Sequence, residues 1–433
     1  MISLALRAGR RSALALALVF GLAPWAAGQV RARDAAGLDR ETQGQAVLDL
    51  LGPEHVVREA WRVTTRSFYD KQRLPADWEA TRERFQHEAG AARTPEDVHA
   101  VVNRMLAEAG TSHLSLVERR VFVREIENEF RNRPVVRAGL ELEELEGRLF
   151  VASLAEGGPG AEAGLLVGDE VVAIDGLAPA ECGRLDPGGH DPALPGPPSW
   201  FLRPDDPPAP IRLAIRREHG GAVQELSLLP RPTSQIESCR ASARVVEVGA
   251  KRVATIHLWH FMHSGVADAL KTAIAGPFAE ADALVLDIRG RGGSTLVVSA
   301  VMAQVAGPRA PWQKPVVLLT DRGTRSAKEI FAWQWRRRER GPIVGERTAG
   351  ACVGCTFKQL SDGSILTVPI QDVTRLTNGE QLEGKGVEPT EQVAQLALPY
   401  RAGRDSILEA GLARAAVLAE APAPAPRPKT ESF

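Results

Sequence analysis

The sequence predicts an α/β protein with a helical region at its N-terminal end and a β-rich unit inserted ahead of the core. Three observations carry this. Residues 40 to 110 place apolar side chains at helical spacing, residues 135 to 232 break into short β-like runs between turn residues, and from residue 252 compact apolar runs alternate with helical segments. That alternation implies a core with several parallel strands. A composition of 44% hydrophobic and 25% charged residues suits a globular chain of two or three domains with a real core.

Residues 1–28 read as an export signal. Arg7, Arg10 and Arg11 form its positive region, Ala13 to Leu22 its apolar region and Ala26-Ala27-Gly28 its cleavage site. Pro24 interrupts the apolar run too early for a comfortable bilayer span, which weighs against an uncleaved anchor. The cleavage site has no cysteine to carry a lipid, and no later segment approaches the length of a transmembrane helix. The mature protein is therefore expected to be periplasmic or secreted. A net charge of -1 argues against electrostatic binding of nucleic acid, and Arg336-Arg337-Arg338 with Arg340 reads as the solvated face of a helix. The four cysteines, Cys182, Cys239, Cys352 and Cys355, leave the disulfide pairing open. Cys352-Val353-Gly354-Cys355 runs into the strand-like Thr356 to Leu360, so it reads as a local disulfide or as reduced thiols rather than a redox pair.

The helical region, residues 36–130, holds Val47, Leu48, Leu50 and Leu51, then Val56, Val57, Ala60, Trp61, Val63 and Phe68. Pro95 opens a further helix behind the cap candidate Thr94, with Val98, Val101, Val102, Met105 and Leu106 as its apolar face. Gly110 ends it, and Thr111-Ser112-His113 follows directly before the strand-like Leu114 to Val117. A histidine at a helix exit is a candidate general base.

Residues 131–232 contain β-like runs at Gly139 to Leu142, Arg148 to Leu154, Glu170 to Ile174, Ile211 to Arg216 and Val223 to Leu229. Between them lie Gly157-Gly158-Pro159-Gly160-Ala161-Glu162-Ala163-Gly164-Leu165 and Val167-Gly168-Asp169-Glu170-Val171-Val172-Ala173-Ile174-Asp175-Gly176. This pattern resembles a PDZ domain. The resemblance implies that a peptide adds as a strand to a sheet edge, with its carboxylate held at Gly139 and Leu140. A stretch dense in proline and glycine, Cys182 to Pro210, interrupts the pattern as a long insertion.

The core, residues 240–400, is expected to hold strands at Val253 to Leu258, Ala283 to Ile288, Val316 to Leu319, Ile343 to Val344 and Ile365 to Ile370. Helices are expected at Val266 to Ala275, Leu296 to Val305 and Ala327 to Arg338, and residues 401–433 add one more, Ile407 to Leu418, and an Ala-Pro tail. Asp287-Ile288-Arg289-Gly290-Arg291-Gly292-Gly293 ends a strand in a glycine-rich turn, whose amides can face an open site as an oxyanion hole does. Its glycine spacing fits no phosphate loop, and the near match at Gly379 to Gly386 has Gly386 where magnesium needs a hydroxyl. Ser326 stands where a buried strand turns into a helix. Alone it reads as an N-cap; with a histidine nearby it is a nucleophile, and Ala327 N–H points at the developing oxyanion. His257, His260 and His263 suggest a metal trio by spacing, but on a strand His260 faces away from the other two, so no metal and no cofactor are expected.

Ser112-His113, the PDZ-like region, Asp-Ile-Arg-Gly-Arg-Gly-Gly from Asp287, Ser-Ala-Lys-Glu-Ile-Phe from Ser326, Val-Gly-Glu-Arg-Thr-Ala-Gly from Val344 and Gly-Lys-Gly-Val-Glu-Pro from Gly384 occur in one order. The set is similar to the tail-specific (C-terminal processing) serine protease family, which includes the tricorn core protease. The resemblance implies a ClpP/crotonase-like α/β protease core. In the family's Ser-Lys variant a lysine stands where this chain has Ala351, whereas the tricorn-like variant uses a histidine preceded by serine and a late glutamate. The implied set is Ser326 as nucleophile, His113 as base, Ser112 and Glu383 in support, with Glu388 the alternative acid, and Gly293 and Ala327 as the oxyanion hole. The expected function is an exported serine endopeptidase acting on unfolded or C-terminally exposed polypeptide substrates. A non-catalytic peptide- or ligand-binding member of the same fold and a PDZ-based scaffold are the competing readings.

Overall fold

The computed structural model describes residues 40–188 and 197–420, so the export signal and the Ala-Pro tail expected from the sequence lie outside the described residues. Helices α1 (Arg40–Leu51), α2 (Pro53–Ser67), α3 (Trp78–Ala89) and α4 (Pro95–Ala107) open the described chain. Helix α4 starts on a reciprocal cap: Thr94 Oγ1 accepts from the Asp97 amide while the Asp97 carboxylate accepts from the Thr94 amide. Its stripe of Val98, Val101, Val102, Met105 and Leu106 is buried, as the spacing predicts. The chain then leaves through Thr111-Ser112-His113 into β1 (Ser115–Val117).

The β-rich unit follows as β2 (Val135–Arg137), β3 (Leu140–Leu145), β4 (Arg148–Leu154), β5 (Glu170–Ile174), β6 (Leu185–Pro187), β7 (Ser199–Leu202), β8 (Ile211–Arg216), β9 (Val223–Leu228) and β10 (Arg231–Thr233). β10 pairs with β2 and brings the two ends of the unit together, while β6-β7-β3-β4-β5-β8-β9 form a seven-stranded sheet. Period-two alternation turns Leu140, Leu142, Ile211, Leu213 and Ile215 into a core of the unit's own. The stretch expected to be only an interruption supplies β6 and β7. β7 pairs antiparallel with β3 from Glu141 to Glu143, and the proline of β6 sits on the outermost strand, where a missing N–H is tolerated.

Helix α5 (Gln235–Ser242) leads into β11 (Arg244–Val248), β12 (Lys251–His257), α6 (Gly265–Ala275), β13 (Ala283–Asp287), α7 (Thr295–Val305), β14 (Val316–Thr320), α8 (Ala327–Arg337) and β15 (Ile343–Gly345). β16 (Gly354–Gln359), β17 (Ile365–Gln371), β18 (Glu391–Gln392) and α9 (Ser406–Glu420) complete the described chain. The core sheet runs β11-β12-β13-β14-β15-β18, antiparallel at β11 and parallel beyond it. β13 and β14 are buried along their whole length because helices cover both faces. Leu284, Leu286 and Leu318 pack with residues of α6, α7 and α8, whereas Val285, Val317 and Leu319 pack with Ile407 and Ala415 of α9.

One expected core strand lies elsewhere. Ile365 to Ile370 falls in β17, which pairs antiparallel with β1 and β16 beneath the helical region. Leu366 and Val368 pack there against residues of α2 and α4. Burial by helices writes the same apolar run as burial in a parallel sheet, so the sequence did not separate the two. The outer parallel strand is instead the short, polar β18. Among the described residues no helix is long and apolar enough to cross a membrane.

Leu286 is fully buried and Val223 is 48% exposed. Leu286→Ala is expected to cost about 2–5 kcal/mol and Val223→Ala no more than about 0.5 kcal/mol, both read from chemical denaturation.

Candidate active site

β13 and β14 are parallel neighbours, so the turns after them emerge side by side at the C-terminal end of the sheet, where open α/β sheets form their sites. The Gly290 amide donates to Asp321 Oδ1 at 3.1 Å and ties the turns together. A Cβ on Gly292 would lie 2.6 Å from Ser326 Cβ, and one on Gly293 would lie 2.2 Å from the Phe261 carbonyl carbon. Both positions therefore require glycine. Phe261 N–H donates to Gly292 O at 2.9 Å and Ser294 N–H to Phe261 O at 2.7 Å. Neither the Gly293 nor the Ala327 amide finds a backbone acceptor among the described residues. Two donors beside Ser326 with nothing to donate to are what an oxyanion hole requires.

Ser326 has φ 58° and ψ −126°, a strained conformation for a residue with a side chain. It also departs from the extended backbone of an ordinary N-cap, and Glu329 N–H donates to Ser326 O at 2.9 Å. The backbone is held instead. Ser326 N–H donates to Ala351 O at 2.8 Å and to Glu329 Oε2 at 3.1 Å. The fully buried Glu329 also accepts from Thr348 Oγ1 at 2.7 Å, Gly350 N–H at 2.7 Å and Ala351 N–H at 2.9 Å. Burial pushes its carboxyl up to about 7, against these four hydrogen bonds, which favour the charged form.

Glu383 forms the second centre. Its carboxylate accepts from Ser112 N–H at 2.8 Å, Ser112 Oγ at 2.9 Å, Thr111 Oγ1 at 3.3 Å and Cys352 N–H at 2.7 Å. Ser112 Oγ also lies 2.8 Å from His113 Nδ1. A hydroxyl has one proton. Ser112 gives that proton to Glu383, so in the contact with the histidine its oxygen accepts, and Nδ1 must carry a hydrogen. The neutral imidazole then has its lone pair on Nε2, the tautomer a general base needs. His113 itself has φ 59°, another side-chain-bearing residue in the left-handed region.

The structure thus joins Ser112, His113 and Glu383 in one hydrogen-bonded chain and reaches Ser326 through Cys352, whose thiol lies 3.6 Å from Ser326 O. Glu388 stands apart, exposed and 3.7 Å from Arg347. Ala351 meets Ser326 with its backbone C=O and gives its N–H to Glu329. Cys352 and Cys355 are thiols rather than a disulfide, and burial pushes Cys352 well above the ordinary thiol range, with Glu329 and Glu383 adding to the effect. Gly139 turns the chain into β3 with φ 74°, but the β3 edge beyond it is already taken by β7. The three histidines diverge: His257 faces Glu156 at 3.5 Å, His260 Nε2 donates to Glu129 at 3.0 Å while its Nδ1 accepts from Met262 N–H, and His263 Nδ1 accepts from Gly265 N–H. Between the β-rich unit and the core turns lies a cleft of about 780 Å³, lined by Leu140, Arg291, Gly323 and Arg325 among others.

Residues 294–393, which contain Ser326 and Glu383, match peptidase family S41, and residues 54–107 match the tricorn protease C1 domain. The core is thus similar to peptidase family S41, and the helical region to the tricorn protease C1 domain. The chain is 25% identical over 395 residues to the tricorn protease homolog 2 of Streptomyces coelicolor, covering 84% of this chain and 32% of that protein. It is also 25% identical over 374 residues to the chloroplastic C-terminal processing peptidase of Tetradesmus obliquus, covering 79% of this chain and 77% of that one. The chain therefore spans about a third of the first relative. The structure of mature CPAF complexed with lactacystin shares the fold, with a TM-score of 0.52 at 13% identity over 84% of this chain and 99% of that one.

Reading the sequence did not single out Glu329 or Lys328, and it weighed Cys352 only as a thiol. Glu329 had a signal, since Ser326 followed three residues later by glutamate is the spacing of a capping box. The part played by Cys352 had none, because the backbone amide acts and any residue but proline supplies one.

Glu383→Gln keeps the shape but turns an NH2 group toward donors, so peptidase kcat should fall at least about tenfold while the fold survives, checked by steady-state kinetics beside circular dichroism. Glu329 gives a pH prediction. Its carboxyl is raised from 4.5 to about 7, so the stability it contributes is full below 4.5 and is lost as pH rises through 7. The melting temperature of wild type minus that of Glu329→Gln should shrink between pH 5 and pH 8 in calorimetry.

Proposed function

We propose that this S41 peptidase is an exported serine endopeptidase that cuts unfolded or C-terminally exposed polypeptides. The observation that carries the reading is the Glu383–Ser112–His113 chain, which fixes the proton on His113 Nδ1. In the proposed reaction His113 Nε2 takes the Ser326 hydroxyl proton as Oγ attacks the scissile carbonyl carbon. The carbonyl oxygen becomes an oxyanion facing the Gly293 and Ala327 amides. The amide C–N bond then breaks, the proton on Nε2 passes to the leaving nitrogen, and an acyl-enzyme remains. Water, deprotonated by the same nitrogen, releases the acid and restores the serine. Throughout, Ser112 accepts from Nδ1–H and passes the stabilising charge of Glu383 to the imidazolium.

The core is read as ClpP/crotonase-like and the inserted unit as a PDZ domain. The export reading rests on Arg7, Arg10, Arg11 and the apolar run after them. Capture of a substrate C-terminus at Gly139 and Leu140 by strand addition requires β7 to release the β3 edge. Trp200→Pro, which removes a β7 amide opposite Leu142, should therefore raise affinity for a C-terminal peptide in fluorescence anisotropy.

Ser326→Ala and His113→Ala should each lower peptidase turnover by at least about a thousandfold, with the double variant no worse than either single one, because both act on one transition state. A fluorophosphonate should label wild type at Ser326 and leave Ser326→Ala unlabelled. Either single variant turning over near the wild-type rate sinks the assignment, and an unlabelled wild type favours the non-catalytic binding reading.

A further inference from the structure

The turn that carries Gly293 is a suspended structure. Its contacts run to the Trp259–Phe261 segment on one side and to the turn after β14 on the other. Something must hold all of these at a fixed distance from the first turn of α8, where the other proposed oxyanion donor, Ala327, sits.

One side chain spans the gap. Lys328, the second residue of α8, is fully buried. Its Nζ donates to Trp259 O at 3.0 Å and to Arg289 O at 2.9 Å, and it lies 5.6 Å from the centre of the Phe261 ring. Trp259 opens the segment whose Phe261 brackets Gly293 on both sides, and Arg289 begins the glycine turn itself. We infer that Lys328 is a positioning residue: it clamps the nucleophile's helix to both segments that hold Gly293, and so sets the spacing between the Gly293 and Ala327 amides. This rests on the reading of Ser326 as nucleophile.

The chemistry of the site fits a clamp better than a solvated charge. Burial pulls the Lys328 amine down to about 7, and even uncharged it keeps two N–H bonds, one for each carbonyl. The two carbonyls belong to segments far apart in the chain, so each bond replaces a covalent constraint the fold lacks. A lysine that only filled space would do as well with a thioether.

Lys328→Met, of similar length and apolar, removes the clamp. The oxyanion hole serves the transition state and not the bound substrate, so kcat should fall at least about tenfold with KM within about threefold. Affinity for a peptide aldehyde, whose hemiacetal with Ser326 presents an oxyanion, should fall by the same factor as kcat. Affinity for the matching product peptide, measured in the Ser326→Ala background, should not move. Lys328→Gln keeps a donor on a shorter arm and should fall between; it also decides the matter should Lys328→Met fail to fold. Wild-type kcat and aldehyde affinity in a folded Lys328→Met or Lys328→Gln overturn the inference. So does a loss explained wholly by fewer active sites on fluorophosphonate titration. A wild type that takes neither fluorophosphonate nor aldehyde overturns the Ser326 reading and this inference with it.

Discussion

A single buried carboxylate holds the two halves of this site together. Glu383 accepts from Thr111 and Ser112 at the exit of the helical region and from Cys352 on the wall of the core. A carboxylate buried without donors is strongly unfavourable, so the three segments must converge or the charge is stranded. The small antiparallel sheet enforces the same convergence. β1 starts shortly after His113 and β16 shortly after Cys352, and both pair with β17. Docking the helices on that sheet and satisfying Glu383 are two aspects of one placement.

Glu329 does for Ser326 what Glu383 does for His113. Each buried carboxylate collects backbone amides, and in each case the residue it fixes has a backbone that side chains rarely adopt. Strain of about 1–3 kcal/mol at such a residue persists only where its neighbours over-determine it. Here they do: Ser326 N–H has two acceptors, and one of them is the carboxylate that also holds Gly350 and Ala351. Because amides act, the side chains at positions 351 and 352 are left open. This accounts for an alanine at 351 beside a serine that, in the Ser-Lys variant, would meet a lysine there.

Much of the fold was legible because its signals are local. Pro95 behind Thr94, the apolar runs of β13 and β14 and the glycines after β13 each follow from their immediate neighbours. Ser112, His113 and Glu383 were named from the order of motifs, and the structure puts Ser112 within hydrogen-bonding distance of both the others. The misses share one cause. Ile365 to Pro369 is buried, but what buries it is a helix pair met only in three dimensions. β7 arises in a stretch whose prolines and glycines read as an interruption, and its pairing with β3 is set by register rather than composition. Lys328 reads as one more charged helix residue until its carbonyl partners, from two distant segments, are seen.

The same segments that form the proposed oxyanion hole also form the near wall of the β-rich unit. Trp259 donates to Glu156 at 2.6 Å, His260 meets Glu129 at 3.0 Å, and Arg291 lies 3.6 Å from Glu125 and 3.7 Å from Glu141. These are charge-assisted contacts in partly dry surroundings, where a lost partner costs more than a formed pair contributes. A glycine turn with no side chains of its own has little intrinsic stiffness. Its rigidity has to be supplied from outside, by Lys328 below and by acidic residues of the inserted unit and of the segment that leads into it above. That makes the unit part of the physical structure of the site, whether or not a peptide ever occupies its sheet.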